Sequence, residues 1–183
     1  MAIPSDLKPI TRLITGHDKE GKSIISTAVN EHPQQTGVDN DSALFALSYC
    51  SEAFPVDMND DKDIDAYKKY SSQPPGLVIN SGTVLRHVDM KPGLLSPMHR
   101  TVSLDYGIVI EGEIELILDS GERRKMVPGD IAIQRGTMHA WRNISDTKWA
   151  RMLYVLQPSK PLMVGGQMLG EDLETMKGVR ASS

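Results

Sequence analysis

His99-Arg100-Thr101-Val102-Ser103-Leu104-Asp105 is the stretch on which the reading of the fold turns. Taken as a strand, it sends alternate side chains to opposite faces. His99, Thr101, Ser103 and Asp105 then share one face, while Val102 and Leu104, with Arg100, share the other. A polar face backed by a mostly apolar one fits the lining of an enclosed cavity, because buried polar groups must find partners or a ligand. Further strand-like runs lie at 83–90, 98–104, 107–110, 114–118, 131–134, 138–142 and 149–156. Lys91-Pro92-Gly93, Glu111-Gly112, Asp119-Ser120-Gly121, Pro128-Gly129-Asp130, Arg135-Gly136 and the 143–148 segment separate them. Short strands with turns about every 8–12 residues predict an all-β sandwich or barrel.

Outside this core the patterns are sparser. Residues 10–15 and 22–27 flank a polar loop at 16–21 and read as a hairpin, and Ala43–Cys50 reads as a further strand. An acidic run at 57–65 and the breaker cluster Ser71-Ser72-Gln73-Pro74-Pro75-Gly76 bracket one or two helical turns at 65–70. A short terminal helix is expected at 171–177, after Gly165, Gly166 and Gly170. The expected organisation is therefore an N-terminal extension (1–81) that joins the barrel or a dimer interface, a barrel core (82–160) and a C-terminal tail (161–183).

Composition narrows the function classes. The chain has 183 residues, 39% hydrophobic and 24% charged, which fits one soluble globular domain. Twenty Lys and Arg against 24 Asp and Glu give a formal charge of −4, so phosphate backbones and anionic lipid surfaces find no general attraction. A single cysteine excludes an internal disulfide framework and a multi-cysteine zinc site. Cys50 lies in an apolar run and reads as a small buried hydrophobe rather than a nucleophile. No apolar run approaches the ~20 residues of a membrane span, and the first residues lack the basic-then-apolar pattern of a secretory leader. A cytoplasmic, reducing location is expected. Asp57, Asn59 and Asp61 alternate as in a calcium loop, but Lys62 and Lys68 stand where its glycine and glutamate belong. No P-loop, dinucleotide fingerprint, nucleophile elbow or H-E-x-x-H motif is present.

Two groups of residues carry a resemblance. Gly93 through His99, then Asp105 and Gly112, resemble the first conserved motif of the cupins, and Pro128-Gly129-Asp130, Gly136, His139 and Asn143 resemble the second. The match spans about residues 82–157. It implies a double-stranded β-helix, the jelly-roll barrel of that family, here with an N-terminal strand extension. Cupins place three histidines and a glutamate around a metal; this chain has Thr101 for the second histidine and Asp105 for the glutamate. What the resemblance leaves is a metal set of His99, Asp105 and His139, adequate for Fe, Mn, Zn or Ni. A metal-free pocket, with His139 and Asp105 as a buried acid–base pair that shift each other's pKa, is the alternative. His17 and His32 read as surface residues.

Other candidate pocket residues follow from strand parity. Arg86 shares a face with Val84, Val88 and Met90 and suits capture of a carboxylate or enolate oxygen, or else pairs with an acid at the rim. His87 and Asp89 would then face solvent. Thr101 is a candidate hydrogen-bond donor to substrate, Trp141 a candidate wall and Tyr106 a candidate phenol donor. The finer pattern around Ser96–Gly107 and Gln134–Asn143 resembles small single-domain cupins of fungal polyketide and related natural-product pathways. That resemblance implies dehydration, decarboxylation, isomerisation or oxidative cleavage of a small oxygenated metabolite (polyketide-like, carboxylate or phenolic), and of these the non-redox reactions are the first expectation. A non-haem iron dioxygenase and a non-catalytic small-molecule binder are the alternatives. Family members usually form homodimers by exchanging N-terminal strands, and the same is expected here.

Overall fold

A computed structural model of the chain describes residues 5–182. The residues 1–4 read above for a leader, and Ser183, lie outside the described residues. The strands are β1 (Thr15–His17), β2 (Ser23–Ile25), β3 (Gln35–Val38), β4 (Ala43–Cys50), β5 (Val84–Met90), β6 (Ser103–Glu111), β7 (Ile114–Leu118), β8 (Arg123–Met126), β9 (Ile131–Arg135), β10 (His139–Asn143), β11 (Ala150–Pro158), β12 (Leu162–Val164) and β13 (Gln167–Leu169). One α-helix, α1 (Lys62–Ser72), extends beyond the turns expected at 65–70. All strand pairing is antiparallel. A six-stranded sheet runs β3-β4-β5-β11-β6-β9, a three-stranded sheet runs β10-β7-β8, and β1-β2 and β12-β13 are separate hairpins.

The two larger sheets bury their inner faces against each other. Val88, Met90, Val109 and Met152 from one meet Ile114, Met126 and Trp141 from the other in a continuous apolar cluster. A second cluster, around Cys50, Tyr67, Leu77, Val78, Ile79, Val84 and Leu156, joins α1 and the 77–79 segment to the end of the barrel. Cys50 is buried there as a thiol, as its apolar context implied. Burial alternates residue by residue from Thr101 to Val109, which is the period of a strand with one face inward.

Several local expectations are corrected. The stretch 98–104 is not one strand but a corner. His99 exchanges both backbone hydrogen bonds with His139 of β10, at 2.9 Å each, whereas Ser103 pairs with Pro158 of β11. The chain thus crosses from the smaller sheet to the larger one within four residues. Residues 171–177 form turns rather than a helix. Asp172 exchanges backbone hydrogen bonds with Arg100 at 2.8 and 2.9 Å, which holds the backbone extended. Leu173, Met176 and Val179 then pack on the second cluster. The first hairpin pairs 15–17 with 23–25, so Gly16 and His17 belong to a strand. Asp18 tightens the loop by accepting from the amides of Glu20 and Lys22.

The outer face of β5 is also not solvated. Asp89 is fully buried, and Arg151 of β11 reaches both its oxygens, Nε at 2.6 Å and Nη2 at 2.7 Å. Gln35 donates to the same carboxylate at 2.7 Å. His87 Nδ1 lies 2.6 Å from Ser48 Oγ. The cause is the N-terminal segment, which lies across this face: Arg151 donates to the Lys8 carbonyl and Arg12 to the Ser48 carbonyl, each at 2.8 Å. No helix among the described residues is long and apolar enough to cross a membrane.

Candidate active site

A cavity of about 840 Å³, counted with its open mouth, lies between the two sheets. His99, His139 and Trp141 line it from the smaller sheet, Arg86, Asp105 and Tyr154 from the larger one, with Thr101 at the corner. Met176, Lys177 and Val179 of the C-terminal tail line it too. Most of the remaining wall is apolar, which suits a small, mainly carbon-built ligand with a few oxygen functions.

The backbone pairing of His99 with His139 sets their rings side by side, centroids 4.4 Å apart. In each ring Nδ1 lies 2.9 Å from a backbone carbonyl two residues earlier, Pro97 for His99 and Thr137 for His139. A carbonyl oxygen can only accept, so both Nδ1 atoms carry the proton and both Nε2 atoms keep a free lone pair. Burial lowers the pKa of both imidazoles. The neighbouring His99 pushes His139 down further, to about 4. Both rings are therefore neutral at physiological pH. Trp141 meets His139 edge-on at 5.5 Å and Tyr154 at 5.8 Å, forming the aromatic wall that strand parity implied for Trp141.

Asp105 occupies a separate part of the cavity. Its Oδ2 accepts from Thr101 Oγ1 at 3.2 Å, and Thr101 in turn accepts from Ser103 Oγ at 2.6 Å. Its Oδ1 is buried without a hydrogen-bond partner. Desolvation lifts the Asp105 pKa to about 6, against the opposing effect of the Ser103 and Thr101 hydroxyls. The mutual pKa tuning expected of His139 and Asp105 is thus corrected: each is shifted chiefly by its own burial.

The side chains of the metal set inferred from the motif do not converge in this structure. No three His, Cys, Asp or Glu side chains among the described residues come together closely enough to hold an ion. His99 and His139 offer two imidazole nitrogens, but the short Asp105 side chain projects from the other sheet and is engaged by Thr101. Two donors fit a metal; the third does not join them.

Arg86 faces inward as its parity predicted, but pairs with no acid among the described residues. It is 5% exposed, its Nη2 donates to the Gly76 carbonyl at 2.8 Å, and its guanidinium lies 5.3 Å from the Phe45 ring centre. Burial lowers its pKa to about 10. Cys50, the charged-state neighbour that could offset this, has its own thiol pushed up to about 12 and stays neutral. Tyr106 is corrected: it faces the outer side of β6, opposite Ile133 of β9, and does not line the cavity. The phenol in the cavity is Tyr154, whose hydroxyl donates to Met152 Sδ at 3.1 Å. Burial and the Asp105 carboxylate hold its pKa well above 10. Its sequence signal was Gly107, a glycine inside a strand; a Cβ there would sit 3.0 Å from the Tyr154 ring.

Residues 86–156 match the cupin domain family. Over 166 residues the chain is 45% identical to phomopsin biosynthesis cluster protein D of Diaporthe leptostromiformis, covering 90% of this chain and 87% of that one. It is 46% identical over 161 residues to virC of Hypocrea virens, named a cupin-domain-containing oxidoreductase, covering 86% and 80%. Among solved structures, KdgF from Halomonas sp. aligns over 72% of this chain and 94% of that one, with 13% identity and a TM-score of 0.48.

Proposed function

The chain belongs to the cupin family, and from that premise we propose that it is an enzyme of fungal-type natural-product metabolism. Its reaction is a proton transfer on a small oxygenated metabolite: dehydration, decarboxylation or isomerisation. The observation that carries this reading is a cavity with neutral imidazole Nε2 atoms on one wall and a carboxyl of raised pKa on the other. With His139 at about 4 and Asp105 at about 6, one protonation pattern dominates between those values: imidazole neutral, carboxyl protonated. His139 is then the base and Asp105 the acid, and Arg86 holds the oxyanion that forms between the two transfers. The opposite assignment requires both groups in their minority forms at once. A divalent metal is not called on in these steps.

Deleting the gene in a producing host tests the reaction class. The compound that accumulates should differ from the product by nothing, by one water or by one carbon dioxide. With that substrate, turnover should be bell-shaped in pH, with limbs near 4 and 6. His139→Ala and Asp105→Asn should each lower kcat by about 10²–10⁴-fold. A second reading, oxidoreduction, is favoured by the names of relatives such as virC and fogC. It requires an accumulated compound differing by two hydrogens or by oxygen, with oxygen consumption and stoichiometric iron lost in His99→Ala and His139→Ala.

The same reading includes a homodimer. Ile24 and Ile25 on β2, and Ile131 and Ile133 on the edge strand β9, are all exposed. A second copy that covers them would relieve both liabilities. Light scattering should report a dimer that Ile24→Lys/Ile25→Lys converts to monomer; a monomeric wild type sinks this part.

A further inference from the structure

The cavity wall holds one buried cation, Arg86, that pairs with no acid among the described residues; Lys177, also on the wall, is exposed. Arg86 is as deeply buried as Arg151, yet Arg151 has the Asp89 carboxylate on two of its nitrogens and Arg86 has a single backbone carbonyl. Among the described residues no salt bridge involves Arg86: of the two carboxyls on the same cavity wall, half-buried Asp39 accepts from Ser42 Oγ and buried Asp105 accepts from Thr101 Oγ1. The other nitrogens of the Arg86 fork are not sealed off, because no Arg86 atom is both inaccessible and unpartnered. The residue lines the cavity wall. A buried guanidinium without an anion is costly, and a planar fork with free N–H groups matches a carboxylate bidentately.

Resting on the proton-transfer reading above, the geometry points to a carboxylic acid as the substrate, its carboxylate supplying the missing counter-ion of Arg86. The apolar remainder lies along Phe45, Val88 and Trp141, toward the histidine wall. Arg86 also borders a second cavity, shared through Val38, Phe45 and Val179, between α1, the 74–76 loop and the C-terminal tail. The carboxylate therefore sits where the two cavities meet, with room for an acid longer than the first cavity alone accommodates.

The test is binding, independent of turnover. Trp141 lies in the cavity wall, so its fluorescence in a Trp149→Phe background reports occupancy. The probes are acetate, benzoate, 3-phenylpropionate and octanoate, each against its primary amide, with sulfate as a general anion. At least one acid should bind ten-fold or more tighter than its amide. That preference should disappear in Arg86→Met and survive in part in Arg86→Lys, which keeps the charge and loses the fork. If no acid binds better than its amide, if Arg86→Met keeps the preference, or if sulfate competes as well as the acids, the inference is overturned. If an acid binds through Arg86 but the compound accumulated on gene deletion differs from the product by two hydrogens or by oxygen, this inference stands and the proton-transfer reading falls instead.

Discussion

The two faces of β5 bury charge in opposite ways. On the outer face Asp89 is surrounded by Arg151 and Gln35, and His87 meets Ser48, so each polar group has a protein partner. On the inner face Arg86 has one backbone carbonyl, and on the same sheet, two strands away in β6, Asp105 keeps one oxygen without any. One strand thus carries a satisfied network on one side and unmet demand on the other. Residues that hold structure are paid in partners at folding; residues kept for a ligand wait for it, at a cost in stability.

That contrast can be broken most directly with two matched substitutions. Arg151→Met strands the Asp89 carboxylate in the interior and should cost about 3–5 kcal/mol in urea unfolding. Arg86→Met removes a cation that had a backbone carbonyl but no acidic partner, and should leave stability unchanged or raise it by about 1 kcal/mol. Equal losses in the two variants would erase the distinction between the faces.

A somewhat smaller effect should follow the pH. Unfolded, the Asp105 carboxyl ionises near 3.8; folded, near 6. Between those values the native state keeps a proton that the unfolded state has lost, so this group erodes stability as pH rises. The penalty is absent below the lower value and complete above the upper one, at about 3 kcal/mol. Asp105→Asn should therefore stabilise the protein at pH 8 and lose most of that advantage by pH 4. The lowered pKa of the histidines acts the other way, destabilising the fold as pH falls below 6.5, but it cancels in the comparison of the two proteins. A gain independent of pH would mean that the Asp105 carboxyl is not uncompensated.

The smallest expected change concerns shape rather than charge. Gly107→Ala brings a methyl to 3.0 Å from Tyr154. The ring must yield by a few tenths of an ångström, at a cost of about 1 kcal/mol, and the Trp141–Tyr154 contact should loosen. Near-UV circular dichroism reads that contact; an unchanged spectrum would show that the aromatic wall does not depend on Gly107.

The residues facing the cavity were largely legible in the sequence. Arg86, His99, Thr101, Asp105, His139 and Trp141 all line it, because period-two alternation fixes the side of a strand from which each projects. The glycine, proline and aspartate breaks likewise marked the strand ends, since turn chemistry is local. Less legible was who meets whom. Asp89 looked solvated because its Arg151 partner is 62 residues away and its cover comes from Lys8 and Arg12. Tyr154 stayed hidden because only the β6–β11 register lays it over Gly107. The helix expected at 171–177 gave way to a backbone pairing with Arg100 that no local pattern encodes.

By itself, then, the sequence determined an all-β fold and the inward set of polar side chains, because alternation and turn residues act over a few positions; the cupin barrel followed from the resemblance of its two motifs. Tertiary structure alone decided that His99 stands on one sheet and Asp105 on the other. The chain turns a corner between them, so the histidines pair with each other while the carboxyl is left with Thr101. Partnership across a cavity depends on sheet pairing and side-chain length, and both are settled only when distant segments pack.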